Sequence, residues 1–368
     1  MTDHRLARVV RNLPATVPFV GPEALQRASG QPFTARLGAN ESVFGPSPRA
    51  VQAIAEAAAE SWMYGDPESH DLRGALALLH GVERENIVVG VGIDGLLGTA
   101  VRLFVEPGTP VVASLGAYPT FGFHVRASGG VLHGAPYRDD YEDPEALAAV
   151  AGEVHARLVY LANPDNPMGT CHASATVLRL RDDLPEASLL CLDEAYCEFA
   201  PPGALPPIDV ADRRMLRFRT FSKAHGLAGA RVGYCIGEAS VIACFDRVRD
   251  HFGVGRISQA AALGSLQDQA YLAGVVAGVE ESRVAIAAIA AEHDLAVVES
   301  HANFVAVDCG RDGSFARAVL VGLGARGVFV RMPGVAPLDR CIRVSAGTPA
   351  QLAVLAEALP AALAEAAS

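Results

Sequence analysis

Between Ile87 and Ile236 the chain repeats one pattern: a short apolar run rich in Val, Leu and Ile, then a helical stretch, then another run. The runs are Ile87–Val91, Pro110–Ser114, Leu158–Ala162, Leu189–Asp193, Met215–Thr220 and Val232–Ile236. They are apolar along their length rather than at alternate positions, so they read as strands buried on both faces, and helical connections between them predict a mainly parallel sheet covered on each side. In such sheets ligands gather at the carboxyl ends of the strands, so chemistry is expected in the residues that follow each run. Ser47 and Pro48 predict the cap and first position of a helix reaching about Ser61, and a second helix is predicted over His70–His80. After about residue 250 the pattern changes to Ala-rich helical segments, short strands at Phe304–Val307, Val328–Arg331 and Cys341–Val344, and a final helix from Pro349. The expected division is an N-terminal arm over 1–34, a large α/β domain over 35–250 and a smaller α+β domain over 251–368.

Charge narrows the function. The 368 residues carry 41 acidic against 30 basic side chains, a net −11, scattered rather than in runs, which argues against nucleic acid or an anionic membrane as partner. No apolar run approaches a membrane span, and Arg5, Arg8 and Arg11 are followed by no apolar stretch of a secretory signal. Seven cysteines without a CxxC pair predict reduced thiols in a cytoplasmic protein, with no metal site.

Of the 30 basic residues, 29 are Arg and one is Lys223, in RTFSKAHGLAGARVGY. Arginine keeps its proton in a protein, whereas a desolvated lysine amine can become a nucleophile. Ser222, Gly226, Gly229 and Arg231 surround it with small residues, a hydroxyl and a fixed cation, a setting suited to tethering a phosphorylated carbonyl cofactor. A lone solvated surface charge is the alternative.

Four further stretches follow predicted strands. GVGIDG (Gly90–Gly95) matches G-x-G-x-x-G, but the next strand ends in Ser114 rather than in an acid. We therefore read it as an anion site at a helix N-terminus, with a tight turn as the alternative. NPDNPMGT (Asn163–Thr170) is a rigid polar loop that could present the Asn166 amide. Asp193 closes an apolar strand in LLCLDEAYCEF, where a carboxylate is costly unless it meets a cation such as a protonated pyridine nitrogen; a helix cap or internal salt bridge would also serve. Tyr196, three residues on, could reach the same ring. Arg331 and Arg343 lie on predicted strands and suit a carboxylate or phosphate, with solvated edge positions as the alternative.

Taken together, the glycine turn, NPDNPMGT, DEAY, TFSKA with GLAGARVGY, and IRVSAGT occur in the order and spacing of fold-type I pyridoxal phosphate (PLP) enzymes. The chain resembles the class I/II aminotransferase family over nearly its whole length, and most closely the histidinol-phosphate aminotransferase branch, through LGANESVFGPSP, YGDPESHDLR and PTFGFH. The resemblance implies that Lys223 holds PLP covalently and then serves as acid and base. It assigns Asp193 to the pyridine nitrogen, Asn166 and Tyr196 to the phenolic oxygen, and Phe121 to the ring face. Ser222, Arg231 and the amides of Ile93 and Asp94 would bind the phosphate, joined by Tyr64 from the second subunit of a homodimer. Arg343 would clamp the anionic group of an amino donor, with Arg331 assisting, and a 2-oxo acid would be the acceptor.

The chain departs from that branch at Phe19, where a phosphate-binding Tyr is expected, at Val43 in place of Pro, and at Met168 in place of Thr. A missing hydrogen bond to phosphate is worth about 1.5–3 kcal/mol, enough to favour another donor. A decarboxylase of the threonine-phosphate type shares the architecture and is the alternative reaction.

Overall fold

A computed structural model describes residues 5–11, 13–14 and 20–368. Phe19 lies outside the described residues. A seven-stranded sheet runs in the order Ile87–Gly90, Gly233–Ile236, Met215–Thr220, Leu189–Asp193, Leu158–Ala162, Pro110–Ser114, Val131–Ala135. Every neighbouring pair is parallel except those made by Gly233–Ile236, which runs antiparallel to both neighbours. The sheet divides its side chains as a twice-covered sheet must. Leu158, Tyr160, Leu189 and Cys191 enter one apolar cluster with helix Gly92–Phe104, while Val159, Leu161, Leu190 and Leu192 enter another with helices Pro144–Val154 and Ser174–Asp183.

A second core forms around the antiparallel strands Ala296–Val297, Phe304–Asp308 and Cys341–Ser345, covered by helices Gly313–Ala325 and Pro349–Ala366. Two segments pack across the divisions expected from sequence. Ala35–Arg36 pairs in parallel with Val328–Phe329, and Ala35 and Leu37 are buried in this second core. Conversely, helix Arg256–Leu266 lies on Pro48–Ala58, with Ala261 and Ala262 buried against Ile87 and Tyr234 of the first unit. Small residues make that close approach possible: a Cβ at Gly264 would fall 2.8 Å from the Arg49 carbonyl.

The carboxyl ends of the parallel strands converge where the two cores meet. Asp193 ends one strand, the loop carrying Asn166 follows another, and Lys223 lies three residues past Thr220. The strand Cys341–Ser345 brings Arg343 and Ser345 from the second core to the same place, where Arg343 touches Asn166 and Ser345 touches Asn40.

Candidate active site

Lys223 borders two adjoining cavities. The inner one, about 170 Å³, is lined by Ile93, Asp94, Tyr118, Tyr160, Asn166, Asp193, Tyr196, Ser222 and Arg231, among others. The outer one, about 710 Å³, adds Arg331, Arg343 and the segment Met332–Val335. Of the predicted residues, ten therefore line these walls, Lys223 included.

The Lys223 ammonium donates to the backbone carbonyl of Asn40 at 3.1 Å and lies 5.6 Å from the centre of the Tyr196 ring. Burial, then the neighbouring cations Arg343 and Arg231, lower its pKa to about 8, towards the free amine a nucleophile needs. The Asp193 carboxylate accepts from the Tyr160 hydroxyl at 2.7 Å and the Ala195 amide at 2.9 Å. Burial raises it to about 6, since no arginine pairs with it directly. The next residue contrasts: Glu194, fully buried, is met by Arg217 at 3.0 Å and Arg219 at 2.8 Å, which hold it below the usual carboxylate range. Of the two adjacent acids, Asp193 is the one left wanting a cation.

Donor and acceptor counts fix what the other groups can offer. Arg343 donates to the Asn166 side-chain oxygen, so the Asn166 NH₂ remains as a donor. The Tyr196 hydroxyl accepts from the Asn40 amide at 3.0 Å, which leaves its own proton to donate, and burial keeps that proton on by raising the phenol. The Ser222 hydroxyl accepts from Arg231 at 3.3 Å. Arg231 itself stands at φ +53°, and its guanidinium crosses Gly92, at φ +69°, so closely that a Cβ there would fall 2.6 Å from it. Gly92 thus lets a cation lie over the first turn of helix Gly92–Phe104, whose free amides and dipole favour an anion.

Two predicted residues lie elsewhere. Phe121 is 1% exposed and stacks on Tyr160 at 4.8 Å inside the sheet-side core, so it lines neither cavity. Tyr118, just before helix Pro119–Ala127, occupies the wall instead; the helix turns Phe121 inward, where an apolar ring gains more by burial. Tyr64 is 80% exposed, packed on Phe252 at 4.9 Å, and borders neither cavity of its own chain. Of the departures, Met168 is fully buried against Ala306, Leu338 and Cys341, pointing away from the site, and Val43 lines neither cavity.

Asn40, Tyr118 and Tyr160 were not singled out from sequence. The turn-rich stretch around Asn40 was visible, but its partners Tyr196, Lys223 and Ser345 are distant in the chain. Beneath the Asn166 loop, Asp165 accepts from Tyr137 at 3.0 Å and from the Met168 amide at 3.0 Å, and Glu142 accepts from Ser114 at 2.6 Å and the Ala162 amide at 2.9 Å. Burial raises both acids, Asp165 to about 7, so this carboxyl pair holds the loop while carrying less charge than its residue types suggest.

Against known families, residues 34–359 match the model for aminotransferase class I and II. The chain belongs to that family. Among the aminotransferases it is similar to the histidinol-phosphate aminotransferase of Rhodospirillum centenum, 35% identical over 93% of this chain and 94% of the relative. A crystal structure of the Sinorhizobium meliloti histidinol-phosphate aminotransferase in complex with pyridoxal-5'-phosphate superposes with a TM-score of 0.95, 52% identity and 98% coverage of both chains. A Thermus thermophilus aspartate aminotransferase, at 23% identity and a TM-score of 0.80 over 96% of this chain and 99% of the other, shares the fold. The family's cofactor fits the residues of this aminotransferase. The inner cavity offers a buried acid without a direct ion pair among the described residues, a guanidinium laid over a helix N-terminus where a Cβ at Gly92 would intrude, and one lysine with a lowered pKa.

Proposed function

We propose that this aminotransferase exchanges the amino group of an anionic donor, histidinol phosphate or an amino acid, with a 2-oxo acid, using PLP held at Lys223. The observation that carries the reading is the convergence, on the chain's one lysine, of a buried carboxylate without a direct ion pair among the described residues, a helix N-terminus crossed by Arg231 and the half-buried Arg343. When bound, PLP supplies an electron sink conjugated to the substrate's nitrogen.

The protein residues do the rest. Asp193 accepts the pyridine N–H and keeps that nitrogen protonated; the cation in turn holds Asp193 ionised, offsetting its burial. Asn166 NH₂ and Tyr196 O–H donate to the phenolic oxygen. Ser222, Arg231 and the amides of Ile93 and Asp94 hold the phosphate, and Tyr118, rather than Phe121, packs on the ring face. Arg343 and Arg331 orient the donor's anionic group, and the Lys223 amine is placed to take the proton from the donor's Cα. General acid and base help of this kind contributes roughly 10²–10⁴ in rate. The family and the named relatives are aminotransferases, which favours amino transfer over loss of carbon dioxide.

A homodimer is part of the proposal. Trp62, 82% exposed, Tyr64 and Phe252, 53% exposed, leave an apolar face that a second copy would cover, delivering Tyr64 to its partner's phosphate cradle. All seven thiols are free, in keeping with a reducing compartment such as the cytoplasm. No helix among the described residues is long and apolar enough to cross a membrane.

The test is stoichiometric: single-turnover spectra of the PLP-loaded protein with candidate donors, histidinol phosphate included. Conversion of bound cofactor to its amine form with release of the matching carbonyl product is expected. Carbon dioxide release without that conversion would overturn the reading.

A further inference from the structure

The stretch YRDDYE folds as a two-stranded hairpin, Tyr137–Arg138 against Tyr141–Glu142, closed by Asp139 and Asp140. Both turn residues have positive φ, +50° and +68°, as a two-residue turn that matches the twist of its strands requires. Glycine is the usual second residue of such a turn, so an aspartate there calls for a reason. Asp140 makes two contacts that supply one. Its carboxylate accepts from Arg340 at 2.7 Å, and its backbone carbonyl accepts from the Thr170 hydroxyl at 3.2 Å. Arg340 immediately precedes strand Cys341–Ser345, which carries Arg343, and is fixed within its own core by Asp308 at 2.7 Å and the Pro337 carbonyl at 3.0 Å. Thr170 closes the loop that carries Asn166, its carbonyl accepting from the Asp165 amide at 2.8 Å. The other end of the hairpin holds the same loop, through the Tyr137 hydroxyl on Asp165 at 3.0 Å and the Glu142 carboxyl on the Ala162 amide at 2.9 Å. Asp140 therefore joins the loop of Asn166 to the strand of Arg343, and those two residues touch in the wall of the outer cavity. The side chains of Asp140 and Arg340 are 20% and 26% exposed, so water screens this pair less than an ion pair on the open surface.

We propose that Asp140 is a positioning residue for the anion clamp: through Arg340 and Thr170 it sets Arg343 against Asn166, so that the guanidinium meets a substrate carboxylate in its planar, two-bond geometry. The proposal rests on the reading of Arg343 as the residue that orients the substrate's anionic group. What it adds is that a residue bordering neither cavity governs the affinity of that group.

Succinate, a dicarboxylate with no amine to transfer, serves as the probe, titrated by calorimetry into PLP-loaded wild type, Asp140→Asn, Arg343→Lys and the double variant. Asparagine tolerates positive φ and keeps the size of the side chain, so Asp140→Asn removes the charge and spares the turn. Asp308→Asn takes a carboxylate from the same Arg340 without reaching the Asn166 loop, and with melting temperatures it controls for stability alone. Asp140→Asn is expected to weaken succinate about three- to tenfold in the wild-type background and by less than about twofold in the Arg343→Lys background, the non-additivity of residues that act through one another. Asp308→Asn is expected to stay within about twofold of wild type. Equal affinity in wild type and Asp140→Asn, the same loss in both backgrounds, or the same loss in Asp308→Asn would overturn the positioning role. If Arg343→Lys binds succinate as tightly as wild type, the reading of Arg343 falls and the role of Asp140 with it; if Arg343→Lys binds more weakly and Asp140→Asn does not, only the role of Asp140 falls.

Discussion

The side-chain amide of Asn40 donates to the hydroxyl of Tyr196 at 3.0 Å, across 156 residues of sequence. The same residue, at φ +53°, accepts from Ser345 through its side-chain oxygen and from Lys223 and Asn303 through its backbone carbonyl. Asn40 thereby sets which way the Tyr196 proton points and ties that choice to a strand of the second core.

Replacing Asn40 tests this directly. Asn40→Ala removes two buried side-chain hydrogen bonds and is expected to cost about 1–3 kcal/mol of stability, read as a lower melting temperature. Asn40→Asp presents only acceptors when ionised, so it would draw the Tyr196 proton to itself and away from the cavity. The absorbance maximum of bound PLP should then move further in Asn40→Asp than in Asn40→Ala. Identical spectra would count against the assigned proton.

Covalent capture of PLP depends on the free Lys223 amine. With its pKa lowered to about 8, the rate of cofactor attachment to cofactor-free protein should rise with pH and level off above about 8, well short of the ordinary lysine value. Burial is the leading cause and Arg343 the next, so Arg343→Gln should shift the midpoint to higher pH. Stopped-flow absorbance over a pH series measures both. In Lys223→Ala, borohydride treatment should leave no cofactor mass on the chain.

The same shift enters stability. Between pH 8 and about 10.5 the unfolded chain holds the Lys223 proton that the folded chain has lost, so the stability of cofactor-free protein gains from this residue as pH rises through that window. Asp193 acts oppositely. Its pKa is raised to about 6, so the folded state binds the extra proton between about pH 4 and 6, and stability falls as pH rises there. Urea midpoints of cofactor-free Asp193→Asn and wild type should coincide below about pH 4, separate progressively between about 4 and 6 and keep a constant gap above 6. Tyr160→Phe, which removes a donor to the carboxylate, should move the upper limit further up.

Gly92 carries a steric prediction. Gly92→Ala places a side chain at φ +69° and 2.6 Å from the Arg231 guanidinium. The left-handed backbone alone costs about 1–2 kcal/mol. Arg231 must also move off the cradle, so the dissociation constant for PLP should rise together with the loss of melting temperature. A stability loss with unchanged PLP affinity would place Arg231 outside the cradle.

Much of the sheet was legible in the chain. Pro110–Ser114, Leu158–Ala162, Leu189–Asp193 and Met215–Thr220 have the ends their apolar runs predicted, because strands buried on both faces must be apolar throughout. Asp193 and Arg343 stand out in the chain for a related reason, since each is a charged residue in an apolar run; Lys223 stands out as the one lysine and Asn166 by its rigid polar loop. The direction of Gly233–Ile236 was not, since an antiparallel strand inside a covered sheet has the same composition as a parallel one.

The chain by itself thus determined six of the seven strands of the large sheet and set one amine apart from 29 arginines, because hydrophobic burial and side-chain chemistry act residue by residue. Only the tertiary structure decided that Tyr118 and not Phe121 faces the cavity, and that Asn40 orients Tyr196. Those outcomes depend on distances between residues far apart in sequence and on which side of a helix meets the core, and neither quantity exists until the chain has closed on itself.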